Sequence, residues 1–211
     1  LEPTPERLSF IAAAARQDGV RDRIAFIQSD FMSVEFETRF DLVCCIGVLE
    51  WVPKFREGNP RDVQIDFLKH VRALLSEVGS LVIGIENRLG LKYLLGARDD
   101  HIGVPGIALL DQALADKKWR SLGGQPLRSL THTRAELSEL LTAAGFASPA
   151  LYAAFPDYKL PQVILPAGEA VDAFFAAGSC VSEHDGIDGQ PLPFPDELRS
   201  HYQSLARLGI S

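Results

Sequence analysis

The sequence predicts an α/β domain in which helices flank a mainly parallel sheet. Two stretches, residues 41–46 and 80–85, are apolar almost without interruption, as are strands buried on both faces of a sheet. Amphipathic helical segments with recognisable start and stop signals alternate with these strands. Such alternation is typical of strands joined by helical crossovers, which makes neighbouring strands parallel.

Three helices and four strands follow from these signals. One helix begins after Thr4 and ends at Gly19, and a second covers residues 60–79 with an apolar stripe along one side. The third carries a capping box, in which Thr133 is followed by Glu136. The predicted strands are residues 23–28, 41–46, 80–85 and 148–155.

One connection departs from this alternation of strands and helices. Residues 87–130 are far longer than the usual few-residue link, and they include a helical pattern at 107–119 and a polar stretch, GARDDHIG. We therefore predict a helical insertion after the third visible strand. Residues 1–165 are expected to hold the sheet, and residues 166–211 to form a helical extension of the same domain, with a last helix near its end.

Composition excludes several classes of protein. The 211 residues are 46% hydrophobic and 23% charged, which is ordinary for a soluble globular domain, and a cytoplasmic location is expected. No apolar run reaches the roughly 20 residues of a membrane span. The net charge is −7 and the one compact basic cluster is residues 117–120, so no nucleic-acid partner is predicted. The three cysteines fit a reduced protein, and no Cys/His spacing resembles a zinc site.

Polar residues follow each predicted strand, at the edge where an open α/β sheet binds its ligands. Glu2 stands before the first helix as though a strand ended there, and an acid in that place can bind both hydroxyls of a ribose. Asp30 beside Phe31 offers an acceptor and an aromatic face to a purine. The sequence therefore predicts a nucleoside pocket. The segments after the strands are SDF, GVLEW, ENR and PDYK.

These motifs carry a resemblance. LEPTPERLSFIAAAARQDGVRDRIAFIQSDF, FDLVCCIGVLEWV and FLKHVRALLSEVGSLVIGIEN, taken in order, resemble the class I S-adenosylmethionine-dependent methyltransferases over roughly residues 1–155. The resemblance implies an enzyme with a Rossmann-like fold and S-adenosylmethionine as cofactor. It also implies that Glu2 binds the ribose, Asp30 the adenine amino group and Phe31 the ring. The cofactor cleft would be lined by Ile46, Gly47, Val48 and Leu49.

Two further segments resemble a narrower branch. IENRLGLKYLLGARDDHIG and FPDYKLP are similar to bacterial methyltransferase domains that occur beside glycosyltransferases in surface-polysaccharide biosynthesis. This resemblance implies O-methylation of a saccharide or glycan-biosynthesis intermediate, with a fused or associated glycosyltransferase as partner. The insertion at residues 87–130 would then be the lid on the acceptor side.

The chain departs from the family in two places. The family's glycine-rich loop should precede Glu2, but the sequence has no G-x-G at that place, so we expect an N-terminal piece to be missing and the fragment alone to bind cofactor poorly or not at all. Many members have Leu-Glu-His-Val where this chain has Leu-Glu-Trp-Val, with Trp51 in place of the histidine. Any role of that histidine is therefore not carried over.

His101 is the predicted catalytic base, since methyl transfer to a hydroxyl often needs a group that takes the proton. Asp99 and Asp100 would orient it or bind a metal, and Glu50 would stand at the border between cofactor and acceptor. The predicted acceptor-binding residues are Trp51, Asn87, Arg88 and Tyr158. Simpler interpretations stay open, because acids and amides cap turns, tryptophan packs, and a polar loop is often solvated.

Two other functions are alternatives to methyl transfer. A nicotinamide-dependent oxidoreductase also needs an acid after its second strand, although none of the four tyrosines has a lysine four residues further on, as short-chain dehydrogenases do. The second rival is a degenerate methyltransferase fold that serves as a scaffold beside a glycosyltransferase.

Overall fold

The computed structural model describes residues 1–177 and 195–207 as a mixed α/β fold. Its helices are α1 (Pro5–Gln17), α2 (Pro60–Leu74), α3 (Leu91–Leu94), α4 (Gln112–Ser121), α5 (Arg134–Ala143), α6 (Glu169–Ala176) and α7 (Pro195–Arg207). Its strands are β1 (Phe40–Ile46), β2 (Leu75–Gly84), β3 (Tyr152–Phe155) and β4 (Val163–Pro166). In this part of the chain, every helix is too short or too polar to cross a bilayer.

The centre of the fold is a β–α–β unit. β1 and β2 pair in parallel, in register from Leu42 opposite Ser80 to Ile46 opposite Gly84, and α2 forms the crossover between them. The two apolar runs are thus confirmed as parallel strands. Because both strands run the same way, the residues that follow Ile46 and Gly84 meet at one edge of the sheet.

Helix α2 starts where its sequence signals start. The Asn59 side chain accepts a hydrogen bond from Arg61 N at 2.9 Å, and Pro60 takes the first turn. The helix was predicted to run to residue 79, and this is wrong. Leu75 already has an extended backbone and pairs with Phe40 in the sheet, so the strand begins five residues earlier than expected.

The main core lies under one face of the β1–β2 sheet. Phe67, Leu68 and Val71 of α2 and Leu140 of α5 pack there against Cys45. On the opposite face Leu42 is 56% exposed, Ile46 47% and Val82 46%. The prediction that these strands are buried on both faces is therefore wrong, because helices cover only one face of the sheet that the structure describes.

Two other strand predictions need correction. Residues 24–28 make no strand; a 3₁₀ turn, Arg21–Arg23, precedes them, and Ile27 O accepts a hydrogen bond from Glu2 N. The predicted fourth parallel strand is β3, which starts later and pairs antiparallel with β4 in a separate sheet. Only seven residues separate β3 from β4, too few for the crossover that a parallel pair needs.

Helices α6 and α7 cover the second sheet. Phe155 of β3 packs against Val171 and Phe175 of α6, and the Phe175 ring stacks on Tyr202 of α7 with centroids 4.5 Å apart. The predicted last helix is thereby confirmed. The stretch between α6 and α7 lies outside the described residues.

The insertion contains the short helix α3 and the longer α4. Asp111 caps α4, since its side chain accepts a hydrogen bond from Leu114 N at 2.9 Å. Arg128, near the end of the insertion, donates to Pro53 O at 2.6 Å and to Gly58 O at 3.0 Å. These hydrogen bonds hold the end of the insertion against the segment that follows β1.

Gln64 of α2 links the segment after β1 to the end of the insertion. Its side chain is fully buried and donates to Leu49 O at 2.8 Å and to Leu130 O at 2.9 Å. Its Oε1 lies 2.7 Å from His132 Nε2. Burial lowers the pKa of His132 to about 4; Arg61 and Arg88 act in the same direction, and Glu136 opposes them. His132 is therefore a neutral structural residue at neutral pH.

This histidine should make stability depend on pH. Its pKa is about 4 in the folded chain and 6.5 in the unfolded chain, so between these values the unfolded state binds more protons. The free energy of unfolding should therefore fall as the pH drops from 6.5 to 4, by up to about 3 kcal/mol from this group. Urea titrations of wild type and His132→Asn across that range check it. An equally steep pH dependence in the variant would contradict it.

Candidate active site at the carboxyl ends of β1 and β2

A pocket of about 360 Å³ lies where β1 and β2 end. Its position is the one expected for ligand binding in a parallel sheet. It joins segments from four parts of the chain: the end of β1, the end of β2, the insertion and the loop after β3. The lining residues are Ile46, Gly47, Glu50, Trp51, Glu86, Asp100, His101, Tyr158 and Lys159.

Glu50 reaches the pocket because the chain turns sharply after β1. Gly47 has a left-handed backbone (φ 63°), and its N–H donates to Gly84 O at 2.9 Å. The Glu50 side chain is only 1% exposed, and its Oε2 has no hydrogen-bond partner among the described residues. Burial, reinforced by the charge of Glu86, raises the pKa of Glu50 to about 7.

Glu86 occupies the matching position after β2. It is 7% exposed; its Oε1 accepts a hydrogen bond from the Tyr158 hydroxyl at 3.1 Å and lies 3.1 Å from Lys159 Nζ. Its Oε2 is buried and, within the described part of the chain, unpartnered. Two buried carboxylates therefore face one pocket, each with an unsatisfied oxygen, which costs stability unless a ligand or function compensates.

His101 comes from the polar stretch of the insertion. Its backbone N donates to Asp99 Oδ1 at 2.9 Å, and its ring Nδ1 lies 3.6 Å from the same oxygen. The ring packs against Trp51, with centroids 4.7 Å apart. Burial lowers the pKa of His101, but the carboxylates around it, above all Asp99, raise it more, so the net shift is upward.

Asp100, one of the two predicted partners of His101, points instead to two lysines. Its Oδ2 lies 2.6 Å from Lys92 Nζ and 3.4 Å from Lys159 Nζ. Burial acts to raise the pKa of Asp100, but these ammonium groups outweigh it and the net shift is downward. Asp99, not Asp100, is thus the carboxylate that orients His101.

Trp51 and Tyr158, both predicted to bind acceptor, lie in the pocket wall. The Tyr158 ring lies against two glycines: a Cβ at Gly84 would come 2.8 Å from Tyr158 Cδ2, and one at Gly47 would come 3.1 Å from its hydroxyl. Both positions therefore need glycine if Tyr158 is to reach Glu86.

Gly47→Ala should destabilise the protein by more than the strain of its backbone alone. Gly19 has a similar φ of 69° and open space around its Cβ position, so Gly19→Ala is the matched control. We expect about 1 kcal/mol from the left-handed backbone in both variants. A further loss is expected only at Gly47, where Tyr158 must move. Urea denaturation measures both, and equal losses would contradict the contact.

The predicted nucleoside-binding residues have local partners in the structure. Glu2 Oε1 accepts a hydrogen bond from Thr4 N at 2.9 Å. Asp30 caps the turn that follows it, accepting from Met32 N at 3.2 Å, and pairs with Arg56. The Phe31 ring packs against the main core. Their roles towards a nucleoside stay predictions.

The other predicted site residues are exposed, buried in the core, or hydrogen-bonded to neighbouring residues. Ile46 and Val48 keep exposed apolar side chains at the end of β1, whereas the Leu49 side chain is fully buried in the core. Arg88 forms a double hydrogen bond with Glu136, at 2.8 Å from both Nε and Nη2. Asn87 accepts from Leu89 N at 3.0 Å. Their roles towards cofactor and acceptor also stay predictions.

A second pocket, of about 310 Å³, opens between the insertion and the start of α2. Its lining is rich in hydrogen-bonding side chains, and His101 lies on the boundary because it lines both pockets. The polar lining consists of Asn59, Arg61, Arg88, Asp99, His101, Asp111, Gln112, Ser129, Thr131, His132 and Glu136.

Glu86 was noted in the segment ENR without a role, and Lys159 was interpreted either as part of the acceptor side or as a turn residue. Glu86 follows β2 as directly as Glu50 follows β1, so the rule that ligands bind at strand ends could have selected it. Lys159 is brought in by the loop after β3, and its contact with Glu86 depends on tertiary structure that no local pattern indicates.

Comparisons with known proteins add a likeness of fold. No family model matches the chain, and no curated protein matches it. Solved structures do resemble it; one is a proposed O-methyltransferase from Nostoc punctiforme PCC 73102, with a TM-score of 0.47 and 19% sequence identity over 75% of this chain. The match covers 41% of that protein's length. At this distance the likeness does not bear on the activity of this chain.

Proposed function

We propose that the protein transfers a methyl group from S-adenosylmethionine to an oxygen of a saccharide or glycan-biosynthesis intermediate. The observation that carries the proposal is the place of His101, which lines both the pocket at the strand ends and the polar pocket of the insertion. A group that takes a proton from the acceptor must stand where donor and acceptor meet.

The end of β1 fits the cofactor. Ile46 and Val48 present apolar side chains to solvent, and Ile46 and Gly47 line the pocket at the strand ends. S-adenosylmethionine, when bound, supplies a methyl group on a sulfonium that an oxygen nucleophile displaces. Glu2, Asp30 and Phe31 are proposed to hold its nucleoside, as the resemblance implies.

The side chains around the pocket would prepare the acceptor. Glu50, whose pKa burial raises to about 7, is able to accept a proton near neutral pH. His101 is the second proposed proton acceptor, held by Asp99. Trp51 packs on His101 and keeps its ring in place. Holding acceptor oxygen and methyl group in line would provide much of the rate enhancement.

The polar pocket of the insertion suits a polyhydroxylated acceptor. Ser129, Thr131 and Asp111 offer hydroxyl and carboxylate groups there, and Arg61 adds a donor. In this proposal residues 87–130 are the acceptor-side lid of a methyltransferase domain that spans residues 1–165, and residues 166–211 are its helical extension. A glycosyltransferase is proposed as the partner that makes or uses the glycan.

The buried acids favour an enzyme over a scaffold. A domain that only presents a binding surface gains nothing from the unpartnered oxygens of Glu50 and Glu86, which lower its stability. Catalytic groups with shifted pKa values commonly carry such a penalty.

Calorimetry tests the choice of cofactor. The full-length natural protein should bind S-adenosylhomocysteine and should not bind NAD, each titrated separately. Binding of NAD alone would favour an oxidoreductase. A folded protein that binds neither ligand would overturn the proposal and leave the scaffold.

His101→Ala should abolish turnover and spare cofactor affinity. The imidazole is the group at the boundary of the two pockets, whereas the proposed cofactor surface is at residues 46–48. Methyl transfer is measured with labelled cofactor and affinity by calorimetry with S-adenosylhomocysteine. His201→Ala, at an exposed position of α7, is the control. Unchanged turnover in the His101 variant would make His101 a structural residue.

A further inference from the structure

We propose that Glu50, Glu86 and His101 form a binding site for a divalent first-row cation such as Mn²⁺ or Zn²⁺. One ligand atom from each residue, a carboxylate oxygen or a ring nitrogen, lies within 4.8 Å of the others. Two carboxylates and one imidazole are a donor set that such ions accept. The sequence alone did not predict these three residues as ligands, because they lie 36 and 15 positions apart along the chain, a spacing that matches no metal motif.

The unpartnered oxygens give an independent reason for a cation. Glu50 and Glu86 are each more than nine-tenths buried, and the Oε2 of each has no hydrogen-bond partner among the described residues. Buried carboxylate oxygens normally find a donor or an ion. Both side chains line the pocket at the strand ends, so an ion placed between them would satisfy both oxygens.

Asp99 supplies the support that a metal-binding histidine usually has. Its Oδ1 lies 3.6 Å from His101 Nδ1 and accepts a hydrogen bond from His101 N, so it sets the orientation of the ring. A carboxylate beside one ring nitrogen makes the other nitrogen the better ligand.

The charged residues around the pocket also favour a bound cation. The residues that line the pocket include three carboxyl groups, those of Glu50, Glu86 and Asp100, and the ammonium group of Lys159. This excess of acids favours a bound cation. Lys159 is half exposed and bonds Glu86 Oε1 and Asp100, so it leaves Oε2 of Glu86 available.

Three protein ligands leave coordination positions for a water or an acceptor oxygen. Gly47 and Trp51 line the same pocket as the three ligands. With the ion bound, His101 acts as a ligand and not as the proton acceptor. Loss of turnover in His101→Ala is expected in both cases, so metal binding is the measurement that separates the two roles. The site itself does not depend on the proposed methyl transfer.

Direct titration tests the site. Chelator-treated protein, without cofactor or acceptor, is titrated with Mn²⁺ and with Zn²⁺ in a calorimeter. We expect one ion per chain. Glu50→Gln and Glu86→Gln keep the shape of the side chains and should each lower the affinity at least about tenfold. Glu77→Gln, at an exposed position of β2, should bind as wild type does.

A spectroscopic measurement on the wild-type protein tests the site without any variant, so the result does not depend on how the variants fold. Co²⁺ added to the wild-type protein should give visible absorption bands of a site with a nitrogen ligand, and added Zn²⁺ should abolish them. Circular dichroism shows whether each variant is folded. Absence of stoichiometric binding to wild type would overturn the proposal, and so would wild-type affinity in both glutamine variants.

Discussion

Glu50→Gln is expected to lower turnover by about 10²- to 10⁴-fold without loss of stability. Glutamine keeps the volume of the side chain but cannot take a proton from an acceptor hydroxyl. The Glu50 side chain is buried with an unpartnered oxygen, so a neutral amide there should leave the free energy of unfolding unchanged or raise it. Methyl-transfer rates and urea denaturation measure the two effects.

Glu57→Gln is the matched control, since Glu57 is an exposed acid seven residues further along the chain. That variant should keep both wild-type turnover and wild-type stability. Wild-type turnover in Glu50→Gln would remove Glu50 from the catalytic machinery. A large loss of stability in it would mean that the carboxylate is structural.

Gln64→Leu should destabilise the fold by about 3 kcal/mol or more. Leucine has similar volume but leaves two carbonyl oxygens and one ring nitrogen in the interior without the partners that Gln64 gives them. Each unsatisfied group costs about 1–3 kcal/mol. The carbonyl of Leu49 immediately precedes Glu50, so the variant should also loosen the site. Urea denaturation gives the loss in stability, and cofactor titration shows the effect on the site.

Lys69→Leu separates this effect from the general effect of an added leucine on α2. Lys69 is exposed and its ion pair with Asp66 is a surface pair, so that variant should lose at most about 1 kcal/mol. Equal losses at the two positions would show that the hydrogen bonds of Gln64 contribute little.

Local patterns were enough to predict much of the secondary structure. The cap at Thr133 and the apolar runs of β1 and β2 depend only on neighbouring residues. The boundary between α2 and β2 was wrong because residues 75–79 suit either state, and pairing with β1 decides between them. The same holds for residues 24–28, which have a strand-like composition but no strand to pair with in the described chain.

The position of the candidate site could be predicted from the sequence, whereas most contacts within it could not. The rule that ligands bind at strand ends pointed to Glu50 and Trp51, and the structure places both at the pocket. The sequence left both Asp99 and Asp100 as partners of His101, and the structure places Asp99 there, because the choice between adjacent acids depends on the turn they form. The pairing of Glu86 with Tyr158 and Lys159 depends on a loop 72 residues away from it.

A crystal structure of the full-length natural protein with S-adenosylhomocysteine tests the central claim most directly. We expect the ligand at the carboxyl end of β1, with its sulfur beside Gly47 and facing Glu50 and His101. The polar pocket of the insertion should open on the other side of His101. A ligand bound elsewhere on the fold, or crystals of folded protein that exclude it from this pocket, would contradict the assignment of the active site.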